Sequence, residues 1–346
     1  MGVDAKYGFA FGRMEKGRRN LISDVPGVRV GHCTLHEGDV HTGVTALIPH
    51  GGDVFCDKCV AAAHVINGFG KSAGLVQVME LGVIETPLLF TNTLSVGAAW
   101  DALARHMLEE NADIGLSAGT VNPVVFECND SFLNDIRGLH VGREHVRLAL
   151  DCAAEDFDEG AVGAGAGMSC YGLKGGIGSA SRVFSLYGKS HTLGALLLTN
   201  FGTLRDLTVC GDGVGERMYQ KRRSASEPDK GSVIIALATD APLSSRQLLR
   251  AAKRAQSGLA YTGTISSHGS GEIALAFTTA NRLPHDAPDG PVRVEQLFEN
   301  DMDVIFRAVA ECVSESVISS MLHASRTVGR AGNMRESLKT LLEEGI

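Results

Sequence analysis

The sequence predicts an α/β protein in which sheets stack face to face and helices cover them from outside. Three observations carry this expectation. Short apolar runs and amphipathic stretches each come in groups, without the strict strand–helix alternation of a doubly wound parallel fold. Glycine supplies 42 of the 346 residues, scattered between those runs without a period. That pattern suits tight strand connections and closely packed layers, and it excludes collagen-like or low-complexity chains. Hydrophobic content of 44% and charged content of 21% fit an ordinary globular core.

The elements follow in order. Asp24-Val25-Pro26-Gly27 has proline and glycine where a turn wants them, and residues 28–34 and 42–48 read as strands on either side of a polar connection. A third apolar stretch, 59–67, ends at Asn67-Gly68. Residues 75–81 suit a short helix and 88–91 a buried strand. Thr93 or Ser95 is the expected cap of a helix over 96–109. A short strand at 124–127 runs into a polar turn at 128–131, and 143–152 suits a helix. Residues 160–182 are the glycine-rich heart of the chain, and 191–200 is a strand ending in Asn200-Phe201-Gly202. A polar loop over 216–230 precedes a strand at 233–238 and the turn Asp240-Ala241-Pro242. The rest reads as a helix at 244–259 capped by Ser244, a strand at 272–278, a break at Gly290-Pro291, a long helix over 294–325 and a closing helix over 334–344. The polar loop interrupts one large domain more than it divides two.

Composition narrows the function. A net charge of −8 leaves no basic footprint for nucleic acid. No window reaches the roughly 18 apolar residues of a membrane span, and the first residues lack the apolar core of a secretory signal. Eight scattered cysteines are too few for a disulfide framework and fit free thiols in a reducing cytoplasm. Cys56-Asp57-Lys58-Cys59 has no second pair at zinc spacing, and His36, His41 and His50 form no H-E-x-x-H, so no metal is expected. Gly163, Gly165 and Gly167 lack the spacing and the later acidic residue of a dinucleotide loop. Gly70-Lys71-Ser72 and Gly188-Lys189-Ser190 lack the earlier glycine of a P-loop, with Val65 and Val183 in its place. No cofactor is expected.

The unusual placement is Gly231-Ser232, at the join of the polar loop and the buried run that follows. A serine hydroxyl needs a base to become a nucleophile. A serine at a chain terminus carries one, because its α-amino group titrates at about 7.7–8.0. If Ser232 attacks the carbonyl of Gly231, the resulting ester hydrolyses and frees that amine. Glycine in front leaves the carbonyl open to approach. By residue type alone, Gly-Ser there reads first as a plain loop-to-strand junction.

The stretch G-S-V-I-I-A-L-A-T-D-A-P from Gly231 resembles the self-cleavage region of the DmpA-type aminopeptidases, the L-aminopeptidase/D-esterases and β-peptidyl aminopeptidases. Four further blocks are similar to that family's motifs in order: I-S-D-V-P-G-V-R-V-G-H at 22–32, T-N-T-L-S-V-G at 91–97, the glycine-rich run at 165–182 with Asn200-Phe201-Gly202 after it, and Gly269-Ser270-Gly271-Glu272. The resemblance spans nearly the whole chain. It implies an N-terminal-nucleophile-like αββα sandwich, one catalytic domain processed into associated chains 1–231 and 232–346, and a homo-oligomer, tetrameric, of processed pairs. It also implies removal of N-terminal residues from short peptides, amides or esters through an acyl-Ser232 intermediate.

Five residues are expected around Ser232. The amide of Asn200, at a strand end, suits an oxyanion donor. Ser270 and Glu272 lie two apart at a strand start and share a side; Glu272 would hold or tune the Ser232 amine, and Ser270 would relay a proton. Glu127 is the candidate partner for the substrate ammonium, with Asn129 nearby where some relatives use a tyrosine. Two other readings remain at this stage. One is an acyltransferase of the ornithine acetyltransferase type, which uses threonine; the other is an unprocessed, inactive binding protein.

Overall fold

The computed structural model describes residues 6–222 and 231–345. Fourteen strands and seven α-helices are described in it. The first third holds β1 (Arg29–Glu37), β2 (Val40–Ile48), β3 (Asp57–Gly68), α1 (Leu75–Leu81), β4 (Val83–Ile84), β5 (Leu88–Asn92) and α2 (Val96–Glu110). The middle holds β6 (Val124–Cys128), α3 (Arg143–Asp151), β7 (Ser169–Cys170), β8 (Leu173–Lys174), β9 (Gly176–Leu186), β10 (Lys189–Asn200) and α4 (Val214–Arg222). The last part holds β11 (Ser232–Thr239), α5 (Ser245–Ala260), β12 (Gly271–Pro284), α6 (Met302–Leu322), β13 (Thr327–Val328), β14 (Met334–Arg335) and α7 (Leu338–Glu343).

Two sheets stack. One has the order β1-β2-β5-β6 and the other β4-β3-β12-β11-β10-β9. Strand alternation fills three apolar layers. Ile234, Ala236, Leu196, Leu198, Phe90 and Phe126 pack between the sheets. Val233, Ile235 and Leu237 face the other way, onto Leu248, Ala255, Val309 and Val313 of α5 and α6. Val44, Ala46 and Val125 meet Leu103 and Val146 of α2 and α3. The result is the expected helix–sheet–sheet–helix sandwich. β11 lies between β10, antiparallel, and β12, parallel. Both faces of β11 are covered, which is why it reads as an unbroken apolar run.

Several expectations change. The helix expected over 294–325 is helical only from Met302 to Leu322, after a 3-10 turn at Glu299–Asp301. Asn281 captures the main chain of Glu295 on both sides, N–H to Oδ1 at 3.0 Å and Nδ2 to carbonyl at 2.7 Å, and so holds it out of a helix. The helix expected over 334–344 begins instead as β14, paired with β13, and α7 starts only after Ser337, whose hydroxyl accepts from Lys339 N–H at 3.2 Å. The segment read as a polar loop from 216 is helical through Arg222; 223–230 lie outside the described residues. Ser95 holds the N-cap position of α2, as expected, but its side chain makes no capping bond. Asn92 closes that turn, its Oδ1 accepting from Leu94 and Ser95 N–H at 3.1 Å each.

Among the described residues no helix is long and apolar enough to cross a membrane.

Candidate active site

Ser232 opens β11 opposite Asn200, the last residue of β10, and beside Gly271, the first residue of β12. Alternation with Ile234 and Leu198 turns Ser232 and Asn200 toward the space between the sheets. Both are buried. Gly231 packs against β10 so closely that a Cβ there would lie 1.9 Å from the Asn200 carbonyl oxygen and 2.4 Å from Phe201 Cα. Only glycine can precede the serine in this geometry. The Gly231 carbonyl accepts from the Gly271 N–H at 3.2 Å.

The Asn200 amide is held at both ends by main chain. Its Oδ1 accepts from Ser169 N–H at 2.9 Å, and its Nδ2 donates to the Asn129 carbonyl at 3.0 Å. One amide hydrogen is committed there, and Nδ2 carries two. Ser169 belongs to the β7–β8 hairpin, where it pairs with Lys174. The two-residue turn is Tyr171-Gly172, with φ of 51° and 70°, the left-handed pair that a type I′ hairpin requires. Tyr171 is fixed by a 2.7 Å bond from its phenol to the Thr262 hydroxyl and a 2.7 Å bond from its N–H to the Phe201 carbonyl. Lys174 is fully buried, and its ammonium donates to the carbonyls of Gly165, Met168 and Gly175 at 2.9, 2.9 and 2.7 Å. Burial pulls its pKa down to about 7 against the opposing field of Asp130, and burial pushes the Asp130 carboxyl up to about 7.

On the other flank, Ser270 and Glu272 straddle Gly271 and are buried. The Ser270 hydroxyl donates to Glu272 Oε1 at 3.0 Å. The two residues therefore meet, as their spacing predicts, one position to either side of Gly271, the residue paired with Ser232.

Glu127 is the next-to-last residue of β6 and is buried. Its Oε1 accepts from Lys71 N–H at 2.7 Å and its Oε2 from the Thr93 hydroxyl. Gly70 sits between this carboxylate and β12: a Cβ there would be 3.5 Å from Glu127 Oε1 and 3.8 Å from Gly271 Cα. Asn129 is exposed, and its side-chain oxygen accepts from Ser131 N–H at 3.0 Å. Its carbonyl accepts from Asn200 Nδ2 at 3.0 Å.

Sequence reading missed Lys71, Thr93 and Ser169. Lys71 and Ser169 act through main-chain N–H groups, which leave no mark on residue type. Thr93 lies in the T-N-T-L-S-V-G block, where its hydroxyl was available as a signal. Among the described residues no group of three or more His, Cys, Asp or Glu is placed to hold a metal ion. His36 and His41 do meet, Nδ1 to Nδ1 at 3.2 Å, but as a pair.

This architecture, with polar groups gathered at the start of an inner strand, is that of a hydrolase of the Ntn type. The family model for peptidase family S58 matches residues 20–335. The chain is 37% identical over 339 residues to the β-peptidyl aminopeptidase BapA of Sphingosinicella microcystinivorans, covering 91% of this chain and 84% of that protein. Among solved structures, the PH0078 protein of Pyrococcus horikoshii OT3 superposes with a TM-score of 0.94 at 48% identity, over 98% of this chain and 97% of the other. The L-aminopeptidase D-Ala-esterase/amidase of Ochrobactrum anthropi, described as a prototype for the serine aminopeptidases and a new variant of the Ntn hydrolase fold, gives 0.90 at 34% identity, over 99% and 98%. The chain belongs to peptidase family S58 and is an aminopeptidase of the DmpA/BapA type.

Proposed function

We propose that the chain cuts itself between Gly231 and Ser232 and then removes N-terminal residues from short peptides, amides or esters with Ser232 as nucleophile. In the first reaction the Ser232 hydroxyl adds to the Gly231 carbonyl. The adduct collapses with loss of the Gly231–Ser232 C–N bond, and the amine leaves with the hydroxyl proton. The ester so formed is hydrolysed by water to a Gly231 carboxylate and a free Ser232. In turnover the liberated amine takes the hydroxyl proton as Ser232 attacks a substrate carbonyl and returns it to the leaving group; water then hydrolyses the acyl-Ser232 ester, releasing the N-terminal residue and restoring the serine hydroxyl. Asn200 meets the oxyanion with its second amide hydrogen, the Ser270–Glu272 pair steadies the amine and relays protons, and Glu127 receives the substrate ammonium.

One observation carries this reading. The residue before Ser232 has room for no side chain against β10, and its carbonyl already receives a main-chain hydrogen bond from Gly271, which favours charge developing on that oxygen. The sheet order supports survival of the cut. β11 and β12 together lie between β10 and β3, so two antiparallel ladders hold chain 232–346 to chain 1–231 after the bond is gone. Serine at position 232, where ornithine acetyltransferases use threonine, disfavours an acyltransferase.

The test is Ser232→Ala. The variant should remain one full-length chain and release no nitroaniline from L-alanine p-nitroanilide. Turnover by Ser232→Ala would remove Ser232 as the nucleophile.

A further inference from the structure

Asn67 lies at the end of β3, and the ladder to β12 slips there. Glu272 pairs with Asn67, while Ile273 pairs with Val65, so Ile66 is an extra residue in β3. A bulge of this kind re-aims the side chain beside it. The Asn67 amide turns onto the loop that precedes β12. Its Nδ2 faces the carbonyls of Ser267 at 3.2 Å, His268 at 3.1 Å, and Ser270. Two hydrogens serve three converging oxygens, so the amide sits at the centre of the turn. The turn itself is closed by Ser270 N–H on the Ser267 carbonyl at 2.9 Å. Four residues further along the chain, Lys71 N–H holds Glu127.

We propose that Asn67 is a positioning residue for the Ser270–Glu272 pair: its amide locks the 267–270 turn and so presents the Ser270 hydroxyl beside the Gly231–Ser232 junction. Asn67 touches no reacting atom in this account and acts only through Ser270. The same strand end, 67–71, then fixes the spacing between that pair and the Glu127 carboxylate. The inference rests on the reading of Ser232 given above.

The experiment compares Asn67→Ala and Asn67→Asp with the wild type on L-alanine p-nitroanilide. Misplacing a working group by about 1 Å costs about 10²-fold. Both variants should therefore lose between about 10-fold and 10²-fold in kcat, with KM within about twofold and an unchanged melting temperature. Asp should do no better than Ala, because a carboxylate has no hydrogen to give three carbonyls. In a Ser270→Ala background, Asn67→Ala should cost less than about a further twofold, because residues that act as one unit are not additive. Wild-type kcat in both single variants would overturn the proposal, and so would the full loss recurring without Ser270. Should Asn67→Ala fail to fold, Asn67→Ser carries the same cycle. The coupling between positions 67 and 270 is readable whichever residue is the nucleophile, whereas Ser232→Ala tests that residue alone.

Discussion

The two strands beside Ser232 hold their polar groups in different ways. On the β10 flank, Asn200 is gripped by a hairpin sunk in the protein: Tyr171 and Lys174 are fully buried, and Lys174 alone ties three carbonyls. On the β12 flank, Ser270 and Glu272 are held by a turn whose clamp, Asn67, is only partly buried. The difference teaches where catalysis and stability share residues. Support on the β10 flank is also core, so damage there should unfold the protein. Support on the β12 flank is a surface brace, so damage there should slow the reaction and leave the fold intact.

The strongest way to break this contrast is Lys174→Met. It removes three hydrogen bonds from a buried ammonium, at about 1–3 kcal/mol each, although the carbonyls of Gly165 and Met168 keep main-chain donors, Met168 N–H at 3.2 Å and Gly175 N–H at 3.1 Å. The expected loss is about 3 kcal/mol or more of stability, read as a fall in the denaturant midpoint at constant slope. A Lys174→Met protein as stable as the wild type would show that the β10 flank is not core. Next comes Asn200→Ala, which separates the gripped group from its grip. Removing an oxyanion donor costs about 2.7–4 kcal/mol of barrier, about 10²–10³ in kcat. The melting temperature should move far less than in Lys174→Met, and a parallel collapse of both would merge the two roles.

The smallest effect sharpens the comparison by pH. His32 supports the glycine-rich turn ahead of the hairpin: its Nδ1 meets the Thr45 hydroxyl at 2.9 Å, and that hydroxyl accepts from Ala164 N–H at 3.1 Å. Burial lowers the His32 pKa from 6.5 to about 4. The unfolded chain therefore takes up this proton first, and the stability His32 contributes above pH 6.5 is lost as pH falls toward 4. Because the ring is partly exposed, the loss should be about 1 kcal/mol or less. Melting temperatures of wild type and His32→Gln between pH 7 and 4 should show a shallower acid slope in the variant. Equal slopes would remove His32 from the account.

Much of the fold was legible because its strongest signals are side-chain signals. The run from Val233 to Ala238 is apolar on both faces, and β11 is covered on both faces. Ser270 and Glu272 were singled out by the resemblance of Gly269-Ser270-Gly271-Glu272 to a family motif, and the strand period puts the two on one side. What stayed hidden depends on long-range hydrogen bonds. Asn67 meets Ser270 across 203 positions, and neither residue type announces the other. The supports that Lys71 and Ser169 provide are main-chain donors, identical in every residue but proline. The long helix was over-read at its start because nothing in residues 294–301 signals that Asn281 bonds the main chain of Glu295.

The central claim is that Ser232 begins a chain of its own. Intact mass under denaturing conditions, with N-terminal sequencing of the smaller species, tests it directly on wild-type protein. The account predicts two chains, the smaller starting at Ser232-Val233-Ile234, from a sample that hydrolyses L-alanine p-nitroanilide. A single uncut chain with that same activity would contradict it.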